Sequence, residues 1–357
     1  MTSQIFDQTK AEAFAMRMLD IINNGGLALM ISIGHRTKLF DTLAELSPST
    51  SQQIADAAGL NERYVREWLG AMVTGNFVEY NPQEKTYYLP PEHAAFLTRL
   101  ASGDNIAPFT QFISVLGTVE DQIVDCFHKG GGVPYSQYKR FHEVMAEDSG
   151  QTVVAALEEH ILPLISGLTE ALQQGIDVLD VGCGSGRALN KLAQLFPNSR
   201  FTGYDLSQEA IAIASTEAQQ RGLTNIQFQV KNAATFDEVE QYDLITTFDA
   251  VHDQARPDLV LRNIHNALRP NGTYLMQDIK ASTDVNGNME HPVAPFLYTI
   301  SCMHCMTVSL AAGGMGLGAM WGREKAVEML SEAGFTSVEI KQPAHDLFND
   351  YYITKKK

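Results

Sequence analysis

The feature that most constrains this chain is a short apolar run, Val178-Leu179-Asp180-Val181, entering a turn with glycine at alternate positions, Gly182, Gly184 and Gly186. Without a Cβ at these points the backbone can bend sharply and approach a ligand closely before the helix that begins near Arg187. Such a strand-to-helix turn belongs in a parallel sheet, and the flanking sequence carries the matching alternation. Apolar runs at 177–181, 200–204, 226–230, 242–248 and 273–277 are separated by helix-length segments, which predicts a doubly wound α/β sheet. Two further extended runs, 337–340 and 351–354, follow a helical stretch with Ala326, Val327, Met329 and Leu330 and predict an antiparallel pair at the sheet edge.

The first hundred residues read differently. Apolar residues from Phe14 through Leu29, Ile33 and Leu43 recur at helical spacing. Residues 51–60 predict a short helix ended by glycine, and Asn61 is placed to cap a second helix that turns Val65, Trp68, Leu69, Met72 and Val73 inward. Extended runs at 77–80 and 86–89 flank the polar turn 81–85, completing a winged-helix outline. From 99 to 174 the pattern is mainly helical, with Gly130-Gly131-Gly132-Val133-Pro134 as a flexible interruption. The expected organisation is a winged-helix domain over 1–98, a helical connector and lid over 99–174, and a ligand-binding domain over 175–357. The terminal Lys355-Lys356-Lys357 reads as a solvated tail.

Bulk composition narrows the classes of function. Lysine and arginine number 26 against 42 acidic residues, a formal charge of −16, so a phosphate backbone would be repelled unless a local basic patch intervened. No run approaches the ~18 apolar residues of a membrane span. The start, Met1-Thr2-Ser3-Gln4-Ile5-Phe6-Asp7, lacks a basic segment followed by an apolar one. Four cysteines, Cys126, Cys183, Cys302 and Cys305, are too few and too unevenly placed for a disulfide framework. A cytoplasmic protein with reduced thiols is the expectation.

The glycine-rich turn alone is shared with dinucleotide-binding dehydrogenases. The next strand ends in Asp205, whose carboxylate offers paired acceptors for a ribose diol, and that suits either nucleoside cofactor. The combination of Asp180 opening the first turn, Gly182-Cys183-Gly184-Ser185-Gly186, Gly203-Tyr204-Asp205-Leu206-Ser207 and Leu268-Arg269-Pro270-Asn271-Gly272 resembles the class I S-adenosylmethionine-dependent methyltransferases. That resemblance implies a Rossmann-like seven-stranded sheet whose last strand is antiparallel. It also implies S-adenosylmethionine as cofactor, its amino-acid part near Asp180, Gly182, Cys183, Gly184 and Gly186. Asp205 and Leu206 would then hold the ribose, and Asn232 with Ala233 the adenine. An aspartate is common in that family where this chain has Asn232. Lys231 beside it reads as solvated.

After the fourth run comes Phe248-Asp249-Ala250-Val251-His252-Asp253, which puts a histidine at the carboxyl end of the sheet, where such folds bind ligands. Methyl transfer from a sulfonium needs the acceptor positioned and, for a hydroxyl, its proton removed; His252 is the candidate base. The His252-Asp253 stretch resembles that of winged-helix O-methyltransferases acting on plant phenolics and hydroxyindoles, which implies a general-base histidine. A tryptophan usual after that pair is Gln254 here, and a packed His252 with Asp253 as a helix cap stays open as the plainer alternative. Phe248 and Asp249 are candidate cofactor-lining residues, with ordinary core as the alternative for Phe248.

The blocks at 141–148, 248–254 and 302–306 resemble a bacterial family of uncharacterised methyltransferases with an amino-terminal winged helix, which implies that Tyr135, Tyr138 and Phe141 form a lid over the cofactor; aromatic residues at helical spacing are more often core, and that alternative stays open. Cys302, His304 and Cys305 lack the fourth ligand of a structural zinc site, so no metal is expected and the thiols read as core or pocket lining. Gly313-Gly314-Met315-Gly316-Leu317-Gly318 reads as a mobile pocket loop. The insertion of about 45 residues around it, with Met289, Phe296, Tyr298, Met303, Met306, Met315 and Trp321, shapes a site for a small, largely apolar acceptor, methylated at oxygen. The rival reading is a winged-helix DNA-binding regulator using the same fold as a ligand sensor. Against it, Arg63 and Arg66 stand beside Glu62 and Glu67, whereas a DNA face should be basic. Trp68, Leu69, Met72 and Val73 are instead expected at a homodimer contact.

Overall fold

The computed structural model describes residues 6–344 and 346–357, and of 102–104 the backbone alone, so the first five residues of the stretch read for an export signal lie outside the described residues. It divides into two compact units, Met1–Val115 and Leu116–Lys357.

The first unit opens with a long helix, α1 (Gln8–Arg36), followed by α2 (Leu39–Glu45), α3 (Ser51–Ala58) and α4 (Glu62–Thr74). Local chemistry sets these boundaries. Thr50 and Gln53 form a reciprocal capping box at the start of α3, Gly59 ends it in the left-handed region at φ +65, and the Asn61 side chain accepts from the Arg63 N–H to start α4. The hairpin β1 (Glu79–Asn81) and β2 (Thr86–Tyr88) is the wing. Phe40, Ile54, Leu69 and Met72 are fully buried, and the Trp68 indole donates to the Met30 carbonyl at 2.8 Å. Trp68, Leu69 and Met72 are therefore consumed by the unit's own core and are not available at a dimer contact, a correction to the expectation from sequence. A run of exposed apolar residues lies on α1, where Phe14 is 62% and Ile22 66% exposed.

The second unit is built on a seven-stranded sheet of β3 (Asp177–Val181), β4 (Arg200–Asp205), β5 (Ile226–Val230), β6 (Tyr242–Phe248), β7 (Leu268–Ile279), β8 (Val338–Lys341) and β9 (Asn349–Lys355). Their order is β5-β4-β3-β6-β7-β9-β8, parallel from β5 to β7, with β9 antiparallel to both of its neighbours. Consecutive strand residues fall into two separate cores, Val178, Leu244 and Leu275 on one face and Leu179, Ile245 and Tyr274 on the other. This follows from the pleat in a sheet covered by helices on both sides. The order reverses between β4 and β6 around β3, so the crevice for a ligand opens at the carboxyl end of β3.

Several segments read as loose are held. A Cβ on Gly132 would stand 1.9 Å from the Thr307 carbonyl, and Val133 N–H donates to Thr307 Oγ1, so the 130–134 stretch docks against a helix where only glycine fits. Lys356 is no free tail residue: its backbone pairs with Gly272 and Asn271, and its ammonium donates to the Leu268 carbonyl at 2.9 Å. Residues Ala294–Ala311 form one helical stretch long and apolar enough, by length and composition, to cross a membrane, contrary to the reading of the sequence; 44% of it is buried inside the protein. It widens to a π-turn at Ser301–Cys305, where Met306 N–H reaches back to the Ser301 carbonyl.

Candidate active site

The turn after β3 is fastened to the end of β4. Gly182 and Cys183 donate their N–H groups to the Tyr204 carbonyl at 2.8 and 3.0 Å, and Gly184 N–H donates to Asp205 Oδ2 at 2.9 Å. The other Asp205 oxygen accepts from Ser207 N–H at 2.8 Å. Each oxygen keeps a lone pair for a second donor, as a ribose diol requires. Gly182 and Gly186 take φ of +78 and +67, and a Cβ would collide with Ala250 at 2.5 Å in the first case and the Phe228 ring at 2.6 Å in the second. At Gly184 nothing lies within 4 Å of the same position, so the turn is tight beneath and open above. This is a cradle that an adenosyl amino acid fits. Cys183 packs its sulfur against Gly203, and burial pushes its thiol well above the usual range. Asp180 is buried and accepts from Thr246 Oγ1 at 2.8 Å; burial holds its carboxyl up at about 7.

The remaining sequence-predicted cofactor residues scatter in role. Leu206 is exposed beside Asp205. Asn232 is exposed, its carbonyl accepting from Ala234 N–H in a local turn, while the Ala233 side chain is buried in the sheet's core. Phe248 is half-buried at the end of β6 and packs on the core. Lys231, read as solvated, is instead paired with Glu238 and lies 4.7 Å over the Tyr204 ring.

His252 is only 2% exposed, and its Nδ1 lies 2.8 Å from Asp278 Oδ1. The same oxygen accepts from the Trp321 indole at 3.0 Å and from Ile279 N–H at 2.8 Å. This orients the imidazole as a carboxylate-held dyad, with Nδ1–H toward Asp278. The Cys305 thiol, from the π-turn, also acts on this imidazole and favours its charged form. Burial alone would lower the imidazole's pKa, but the Asp278 carboxylate, with Cys305, outweighs it and leaves His252 well above its ordinary value. Asp253, half-buried next to it, has its carboxyl raised to about 7 by burial, against the pull of His252. The loop 313–318 is hydrogen-bonded in place, Met315 N–H to the Ala255 carbonyl and Gly318 N–H to the His252 carbonyl, so it grips this segment and is not a free loop.

Tyr135, Tyr138 and Phe141 surround His304. Phe141 stacks on it at 3.6 Å between centroids, and the two tyrosine rings meet it edge-on at 5.2 and 4.8 Å. Burial pushes the His304 imidazole down to about 3, and neither ring nitrogen has a hydrogen-bond partner. The Tyr135 phenol is raised by burial and by the charges of Asp253 and Asp205. The sequence reading passed over Asp278 and gave Trp321 a place in the acceptor pocket, not on this carboxylate. The signal for Asp278 was a polar pair, Gln277-Asp278, closing an otherwise apolar strand at its carboxyl end.

Residues 25–99 match the family profile of an Rv2258c-like winged HTH domain, and residues 172–334 that of a methyltransferase domain. A fatty-acid O-methyltransferase of Mycolicibacterium smegmatis is 28% identical over 120 residues, 34% of this chain and 43% of that protein, so the chain spans less than half the length of this relative. A putative O-methyltransferase from Nostoc punctiforme has the same fold with a TM-score of 0.71 at 19% identity, covering 96% of this chain and 98% of that one. Human N-acetylserotonin methyltransferase, solved with S-adenosylmethionine, has a TM-score of 0.68 at 17% identity, covering 100% and 99%. The chain thus carries an Rv2258c-like winged HTH domain followed by a methyltransferase domain, and it shares its fold with these two methyltransferases.

Proposed function

We propose that this chain methylates an oxygen atom of a small, largely apolar acceptor. The observation that carries the reading is the meeting, at one end of one sheet, of the Gly182 to Gly186 cradle, the Asp205 carboxylate and the His252–Asp278 dyad. When bound, S-adenosylmethionine supplies an electrophilic methyl group on a sulfonium. Gly182, Cys183, Gly184 and Gly186 with Asp180 would seat its amino-acid part, Asp205 and Leu206 the ribose, Asn232 and Ala233 the adenine edge. Phe248 and Tyr135 would line the crevice. His252 takes the acceptor's proton, and Asp278 steadies the imidazolium that results. The Asp278 carboxylate favours the charged imidazole, and a cation seated among the neighbouring carboxylates shifts it toward the neutral form that a base needs. Asp253 is the second group able to hold a proton there. The relatives' own acceptors, a fatty acid and N-acetylserotonin by name, are small and largely apolar.

The reading extends to the whole protein. The four cysteines are free, which supports a cytoplasmic setting. Nucleic acid is not the expected partner, because Arg63 pairs with Glu67 at 2.5 Å and Arg66 with Glu62 at 3.4 Å across the helix that would have to read DNA. A homodimer through the first unit is supported by the exposed apolar face of α1, from Phe14 to Ile22.

Calorimetry with S-adenosylmethionine tests the cofactor assignment: wild type should bind and Asp205→Ala should not. An acceptor screen by mass spectrometry, reading the mass gain of one CH2, tests the reaction; loss of any product across phenols, fatty acids and hydroxyindoles would refute it.

A further inference from the structure

Beside the glycine-rich turn two carboxylate oxygens, Asp148 Oδ1 and Asp249 Oδ1, are sealed from solvent with no hydrogen-bond partner. They arrive from distant parts of the chain. Asp148 closes the helix Phe141–Ser149, just before a π-turn at Gly150–Val154. Asp249 is the first residue beyond β6 and is held in the left-handed region at φ +53. Both segments touch the turn. Ala250, next to Asp249, packs where a Gly182 Cβ would stand, and Arg187, which follows Gly186, donates to the Ala146 carbonyl at 2.6 Å and lies 3.4 Å from the Cβ position of Gly150.

The two acids also feel one another. After burial, the Asp249 charge is the main influence raising the Asp148 carboxyl, which stands at about 8, and Asp249 is itself raised by burial. Among the described residues no lysine or arginine pairs with either. The His252 Nδ1 is 3.7 Å from Asp249 Oδ1, but its hydrogen bond goes to Asp278. Carboxylate oxygens sealed without donors are costly, and a site that brings two of them to one turn is arranged for a cation with several N–H groups. At this end of the cradle the cofactor proposed above carries an α-ammonium, which has three.

We infer that Asp148 and Asp249 together clamp the α-ammonium of the cofactor's methionine portion, closing the cradle from above with a residue of the connector helix. The inference rests on the cofactor reading of the preceding section. It assigns to Asp148 a binding role, and it gives a reason for the left-handed backbone at Asp249, which directs that carboxylate back over the turn.

Three ligands separate the possibilities in calorimetry on the full chain. S-adenosylmethionine carries the ammonium and the sulfonium, S-adenosylhomocysteine the ammonium alone, and 5′-methylthioadenosine neither. Asp148→Asn and Asp249→Asn remove charge with little change of shape, and asparagine tolerates the left-handed conformation that position 249 needs. Each should weaken S-adenosylmethionine and S-adenosylhomocysteine alike, by roughly tenfold, and leave 5′-methylthioadenosine unchanged, which also reports that the variants are folded. A loss confined to S-adenosylmethionine would assign the acids to the sulfonium and overturn the clamp. An equal loss for all three ligands, or none for any, overturns it too. Failure of wild type to bind any of the three would instead sink the cofactor reading itself.

Discussion

At the amino ends of the central strands, Asp177 takes both arms of Arg200 at 2.6 and 2.7 Å and a further bond from Arg269, which also reaches Asp243. At the carboxyl ends of the same sheet, Asp180, Asp249, Asp253 and Asp278 meet hydroxyl, indole, imidazole and backbone groups, and among the described residues no arginine or lysine. The consequence is opposite electrostatics for one residue type. The Arg200 hydrogen bonds pull the Asp177 carboxyl below its ordinary value, whereas burial pushes Asp180 and Asp253 up to about 7. Charges that complete each other within the chain fasten the sheet together. Charges left incomplete mark where something from outside is to be received.

That contrast can be broken most forcefully at His252. His252→Ala should lower turnover on a hydroxyl acceptor by about 10²- to 10⁴-fold while S-adenosylmethionine affinity, read by calorimetry, stays within a factor of ~2. Unchanged turnover would remove it as the base and leave Asp253 to be tested next. Asp278→Asn comes second, with turnover lower by roughly tenfold. Because the Asp278 carboxylate raises the His252 pKa, its loss should move the acid limb of the pH–rate profile to lower pH. A limb that stays in place would show that the carboxylate does not act through the imidazole.

A smaller effect is expected from His304. Its folded-state pKa of about 3 lies below the unfolded value, so the unfolded chain takes up a proton first as pH falls. Wild type should therefore lose stability from about pH 6.5 downward, by up to ~1.4 kcal/mol per pH unit from this group. His304→Phe should be free of that component, and parallel denaturant curves of the two proteins across this range would contradict it. The smallest effect belongs to the other end of the sheet. Arg269→Ala should lower the thermal midpoint by on the order of 2–4 °C and leave cofactor affinity and turnover alone; a loss of cofactor binding there would erase the distinction between the two ends.

Much of this was legible in the residues. The strands at 177–181, 226–230 and 242–248, the glycine stop at Gly59, the Asn61 cap and the Arg–Glu pairs of α4 depend on neighbours within a few positions, and the structure holds them where the sequence put them. β7 is longer than read, Leu268–Ile279, because pairing with β6 on one side and β9 on the other extends it beyond its apolar centre. The misreadings share a cause. Gly132, the 313–318 loop and Lys356 look like loose polar or glycine-rich segments, yet each is pinned by a partner far away in the chain. Trp68 and Met72 look like interface residues because apolar periodicity does not say whether the partner surface is in the same chain.

Sequence alone determined the alternation of strands and helices, the cradle of three glycines and the acid that ends the following strand, because these are set by backbone freedom and local spacing. Tertiary structure decided the charge states. Whether His252 is a bare imidazole or one held by Asp278, and whether Asp148 and Asp249 find a cation, depends on burial and on groups brought together across the sheet. Desolvation and Coulomb interactions act through space, and their sign at a given residue cannot be read until the chain has closed around it.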